Sequence, residues 1–351
     1  MLREIIGLTK DLIRFPSTAS QPAQRKACAD FIAAWLAGCG LDPARTEHEG
    51  VECISAMPEP GRCRVLFMAH FDVVDAPERL FDPVEEGGRL YGRGAVDDKY
   101  AVAAAMVLMK RQRERGGLAP LGILLTGDEE LGGRNGARRA LENLSADFAI
   151  ALDGGDPQSI VVLQKGVLRL ALTARGKAAH GARPWLGANA VEALMADLTA
   201  LTPLFPAGDG EHWHRTLNIG VVSGGTAVNM VPAEARALLD VRYTENDDPD
   251  ALLASMRAAV TGEVELIRQD MMFKGGESPL FDQLLSHARG AKPAKAHGAS
   301  DARFLSERGI PGVVWGAQGG GSQHSDGEYL EIASLGELLA MLTGFLDDVG
   351  S

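Results

Sequence analysis

Histidines and carboxylates recur in five short clusters of this chain, and together they could coordinate two metal ions and leave one acid free as a base. The clusters are MAHFDVV (Met68 to Val74), GRGAVDDK (Gly92 to Lys99), TGDEELGG (Thr126 to Gly133), ALDGGD (Ala151 to Asp156) and SQHSDGEYL, which carries His324. Metal-assisted hydrolysis uses this mixture: imidazole and carboxylate ligands, with an unligated carboxylate to move a proton.

In H-x-D, His70 is the expected ligand. Asp72, two residues on and on the same side of an extended chain, is expected to hold the other ring nitrogen and fix the tautomer. Alone, H-x-D is more often a histidine satisfied at a strand end than a metal ligand. Asp97 and Asp98 follow two glycines and open a helix, where the macrodipole favours acids in any case. A carboxylate can also bridge two cations about 3.5–4 Å apart; Asp97 is the residue expected to do so. Glu129 and Glu130 can divide labour, with Glu130 as ligand and Glu129 as the base that takes a proton from water. Asp153 and His324 complete two sets that share one member: His70, Asp97 and Asp153, then Asp97, Glu130 and His324. Each leaves room for water, as catalytic sites do. His48, His212, His214, His287 and His297 lack acidic partners at strand ends, and His212–Trp213–His214 reads as a surface loop.

These residues need elements to carry them. Leu2–Phe15 has helical spacing and stops before Pro16. Pro22–Gly38 reads as a helix with proline at its start and glycine at its end. RVLFMAH, LGILLTG and FAIALDGG are apolar runs of strand length that lead directly into His70, Asp128 and Asp153, and a helix from Tyr100 to about Arg113 lies between the first two. Strands alternating with helices predict an α/β fold, a mainly parallel sheet with helices on both faces. In such sheets the crevice at the C-terminal strand ends holds the ligand. From Val167 the rhythm becomes strand–helix–strand–strand–helix–strand. That predicts an inserted α+β domain over residues 167–275, with the catalytic domain formed by residues 1–166 and 276–351.

The chain's 351 residues suit two domains. Its 46% apolar and 23% charged content is that of a globular protein. A net charge of −12 argues against nucleic acid or an anionic membrane as partner. The opening residues show no signal-peptide core, and no apolar run is long enough to span a bilayer. Four cysteines without C-x-x-C spacing read as reduced thiols, so a cytoplasmic protein is expected.

In this order and spacing, H-x-D, G-R-G-A-x-D-D-K, D-E-E and the late histidine resemble the zinc amidohydrolase/metallopeptidase family of acetylornithine deacetylase, succinyl-diaminopimelate desuccinylase, aminoacylase, carboxypeptidase G and related dipeptidases. The resemblance spans nearly the whole chain and implies two divalent ions, zinc first, with cobalt or manganese as alternatives. It implies a lid and dimerisation role for the insertion, and hence a homodimer. It also assigns His180 to the reaction's oxyanion, and Asn229 and Arg242 to substrate; Arg242 would equally suit a surface ion pair. The implied substrate is a small N-acyl amino acid or a dipeptide. GASDARF (Gly298 to Phe304) favours the deacylase branch, whereas Asp at position 153 and the loop around His180 favour the dipeptidase branch. Tyr100 stands where many relatives have glycine. The run Gly319–Gly321 is expected to let backbone amides approach a substrate carboxylate. A binding protein that kept the fold and its metals but lost turnover is the alternative from another class.

Overall fold

The computed structural model describes every residue except 117–119, 207, 209, 321–323 and 351. It separates into two compact units: Met1–Leu163 with Lys274–Lys295 and Ser300–Ser351, and Gln164–Phe273 with Ala296–Ala299.

The first unit is built on a nine-stranded sheet. Four central strands run parallel, in the order Leu121–Thr126, Arg62–His70, Ser145–Ala151, Gly312–Val314. Their apolar runs are buried on both faces, which is why they read as continuous rather than alternating. Register puts His70 opposite Thr126 and Met68 opposite Ala151, so the three strands end within two residues of one another. The sheet as a whole is mixed. Val51–Ala56 adds antiparallel to Leu121–Thr126, with Ala44–His48 outside it, and Ser159–Gln164 meets Gly312–Val314 antiparallel at the other flank.

The helix Lys99–Glu114 is buried continuously from Lys99 to Met109, as its small alanine-rich surface permits. Leu2–Ile13 packs beside it through Ile5, Leu8 and Leu12. The Lys99 ammonium is fully buried and donates to the carbonyls of Leu12 (2.9 Å) and Phe15 (2.6 Å), closing the end of that first helix. Burial pushes its pKa down to about 8. A small antiparallel sheet of Val84–Glu86, Arg89–Tyr91, Gly319–Gly320 and Tyr329–Glu331 has no counterpart in the sequence reading. Cβ atoms on Gly319 and Gly320 would collide with Tyr329, so close strand packing accounts for these two glycines; Gly321 lies outside the described residues. All four cysteines are unpaired, and three are buried. Among the described residues no helix is long and apolar enough to cross a membrane.

The second unit is a four-stranded antiparallel sheet in the order Thr216–Gly224, Glu234–Tyr243, Gly166–Arg175, Glu263–Asp270. Helices Ala190–Leu201 and Pro249–Ala259 join its core through Leu194, Leu201, Leu252 and Met256. Both start on a side-chain cap, Asn189 and Asp248, that accepts two backbone N–H groups.

Candidate metal centre

His70 is the last residue of its strand and is 2% exposed. Its Nδ1 lies 3.1 Å from the Asp72 carbonyl oxygen and 3.5 Å from the Asp72 carboxylate. An Nδ1–H donated to that carbonyl leaves Nε2 as the free lone pair, and Nε2 points at Asp97 Oδ1, 3.0 Å away. Asp72 therefore does more than orient the imidazole. Its two carboxylate oxygens accept the backbone N–H groups of Glu129 and Glu130, each at 3.1 Å, and so fix the turn that carries both acids.

Asp97 is 8% exposed and presents one oxygen to each side: Oδ1 to His70, and Oδ2 to His324 Nε2 at 3.3 Å. His324 Nε2 also lies 3.3 Å from Glu130 Oε2. Ligand atoms of His70, Asp97 and Asp153 lie within 4.8 Å of one another, and so do those of Asp97, Glu130 and His324. Glu129 belongs to neither group; it lines a small cavity with His70, Asp153, Thr126, Ser300 and Asp301.

The electrostatics of this cluster call for cations. Burial drives Asp153 and Asp98 well above the ordinary carboxylate range, raises Glu129, and lifts Glu130 to about 7. Burial would raise Asp97 too, but hydrogen bonds from His324 and His70 outweigh it and hold that carboxyl below its usual value. Burial disfavours the His70 imidazolium, yet its bonds to Asp72 and Asp97 hold its pKa well above normal. Acids gathered this closely, with two imidazoles among them, suit divalent ions with a taste for nitrogen and oxygen donors.

Sequence reasoning missed the support behind Asp97. Arg93 and Glu328, both almost wholly buried, form an ion pair. Glu328 also accepts the N–H groups of Val96 (3.2 Å) and Asp97 (3.3 Å). Asp98, joined to Asp97 by a cis peptide, is fully buried and accepts the His70 backbone N–H. Arg93 and Glu328 each sit inside a cluster already quoted, but Lys99 and Asp326 stand in the same two motifs, so their pairing had no distinct signal in the sequence.

The other expected residues belong to the second unit. His180 pairs with Met230 across two short strands, and Gly181 N–H donates to the Asn229 carbonyl at 2.7 Å, so His180 and Asn229 are neighbours there. His180 Nδ1 accepts the Ala182 N–H. Arg242 donates from Nε and a terminal nitrogen to Asp240, at 2.7 and 3.2 Å. The His212–His214 loop is held through its carbonyls by Lys165.

Comparison with known proteins now decides the family. The profile of peptidase family M20/M25/M40 matches residues 66–348. The chain belongs to this family. M20 membership makes it a metal-dependent hydrolase of amide or peptide bonds. A succinyl-diaminopimelate desuccinylase from Rhodospirillum centenum is 31% identical over 385 residues, covering 99% of this chain and 97% of its own. A probable carboxypeptidase from Aspergillus niger is 29% identical over 304 residues, covering 81% of this chain and 73% of its own. Among solved structures, a tripeptidase from Staphylococcus aureus superposes with a TM-score of 0.80 at 22% identity, covering 100% of this chain and 99% of that one. The M20 fold is thus present from end to end.

Proposed function

We propose that the chain hydrolyses the amide bond of a small N-acyl amino acid with two zinc ions bound. One observation carries this reading: two three-residue ligand groups share Asp97, and Asp72 holds the turn of Glu129 and Glu130 by its backbone. When bound, the metal pair supplies Lewis acidity to the scissile carbonyl and to water. His70, Asp97, Glu130, Asp153 and His324 hold it. Glu129 takes a proton from the attacking water and returns it to the leaving amine as the C–N bond breaks, giving a carboxylic acid and a free amine. His180 steadies the oxyanion. Asn229 and Arg242 contact substrate, and a substrate carboxylate would exchange with Asp240 at the Arg242 guanidinium.

The N-acyl reading is supported by the desuccinylase relative, which aligns over nearly the whole chain, and by the GASDARF segment. A peptide substrate is the second reading, favoured by Asp at position 153 and by the carboxypeptidase relative. We also propose a homodimer formed through the second unit. A panel of N-succinyl, N-acetyl and dipeptide substrates, assayed with and without zinc, tests the scheme. Zinc-dependent release of amino acid from the acylated compounds is expected. Faster turnover of dipeptides would move the assignment to the second reading, and a zinc-loaded protein inert toward all three would leave a binding protein.

A further inference from the structure

Tyr100 follows the Asp97–Lys99 segment directly and is fully buried, yet the hydrolytic scheme gives it no part. Its hydroxyl donates to the Leu152 carbonyl and accepts the Ala317 N–H, each at 2.8 Å. Those two groups lie on adjacent parallel lines of chain. Ser145–Ala151 and Gly312–Val314 run in register as far as Val314 opposite Ala151, and Trp315 N–H still reaches the Ala151 carbonyl at 2.9 Å. Past that point the phenol links the two lines.

The space around the hydroxyl is shaped to admit it. A Cβ on Gly316 would stand 2.4 Å from the Tyr100 oxygen and 2.1 Å from the Gly154 carbonyl, and one on Gly154 would stand 2.5 Å from the Gly316 nitrogen. Asp153 is the residue between Leu152 and Gly154, so the Tyr100 bond holds the peptide on its N-terminal side, while Gly154 on the other side packs closely on the Trp315–Gly316 backbone. An aspartate has one methylene less reach than a glutamate. Its backbone must therefore be set closer to an ion whose ligand distances, about 2.0–2.2 Å, tolerate little error.

We propose that Tyr100 is a positioning residue for the ligand Asp153, setting the affinity of the ion held by His70, Asp97 and Asp153 and leaving that of the ion held by Asp97, Glu130 and His324 largely unchanged. This rests on the ligand reading given under Proposed function. Losing a hydrogen bond one step behind a ligand typically costs about 10–100-fold in metal affinity.

The test titrates zinc into metal-free wild type, Tyr100→Phe and Asp153→Asn by calorimetry, with bound metal counted by mass spectrometry and folding checked by circular dichroism. Phenylalanine keeps the ring and removes only the hydroxyl. Wild type should bind two ions, Asp153→Asn one, and Tyr100→Phe two, with one of them about 10–100-fold weaker. Wild-type affinity for both ions in Tyr100→Phe would overturn the proposal, as would equal weakening of both, which is what a merely structural role predicts. Two tight ions in Asp153→Asn would instead sink the ligand reading itself.

Discussion

Glu129 and Glu130 are adjacent, chemically identical and held through the same Asp72, yet only Glu130 reaches a ligand group. The difference is direction: consecutive side chains of a tight turn diverge, so one faces His324 and the other the cavity beside His70. Glu129→Gln keeps the shape and removes the proton acceptor. It should retain both metals while turnover falls by about 10²–10⁴-fold, the usual contribution of a general base. Parallel measurement of kcat and bound metal decides this, and a rate near wild type would take Glu129 out of its role. Asp97 teaches the same lesson. Its two oxygens serve different histidines, 3.0 and 3.3 Å away, a division that the pair Asp97–Asp98 could not announce in sequence because either acid could have bridged.

At the scale of elements, the strand that ends on His70 and the one that leads into Asp153 were legible because RVLFMAH and FAIAL are apolar at successive positions, as strands buried on both faces must be. The helix start at Pro22 was legible for an equally local reason, the proline itself. The direction of the flanking strands was not. Val51–Ala56 turns back on Ala44–His48 through Glu49 and Gly50, both at positive φ, and a glutamate–glycine pair is a weak hairpin signal. Nor was the small sheet of Arg89–Tyr91 and Tyr329–Glu331, since three-residue strands are too short to show a period. That sheet brings Glu328 to Arg93 across 235 residues of sequence. Removing one member of a buried pair leaves the other charge uncompensated. Glu328→Ala should therefore cost about 3–5 kcal/mol in urea unfolding, and it should weaken both metals together because Asp97 loses the acceptor for its backbone. Unchanged zinc binding in a destabilised variant would confine the pair to a structural role.

Across the whole molecule, the acid cluster makes stability depend on pH and metal together. Glu130 titrates near 4.5 in an unfolded chain and at about 7 in the fold, so between those values the native state holds the extra proton. Asp98 and Asp153 shift the same way through burial. Stability of metal-free protein should then fall as pH rises through this window, and the raised His70 and His324 lose their contributions higher, above the ordinary 6.5 of a histidine. Asp97 acts oppositely, but only below its ordinary 3.8. Thermal melts in chelator at pH 5 and 7.5 should give the lower midpoint at 7.5, with zinc restoring more there; equal midpoints would count against the cluster. The proposed homodimer has its own test. Thr216–Gly224 is an edge strand of its sheet with Ile219, Val221 and Val222 43–57% exposed, and a charge there should keep copies apart. Light scattering should give twice 37.2 kDa for wild type and a single mass for Val222→Lys; a wild-type monomer would end that proposal. Finally, Lys99 ties the opening helix to the backbone beside Asp98. An ammonium stripped of both acceptors inside an apolar core is expensive to keep. A recombinant form trimmed to begin at Pro16 would therefore forfeit catalysis well before it forfeited its sheet, so anyone shortening this protein should spare its first fifteen residues.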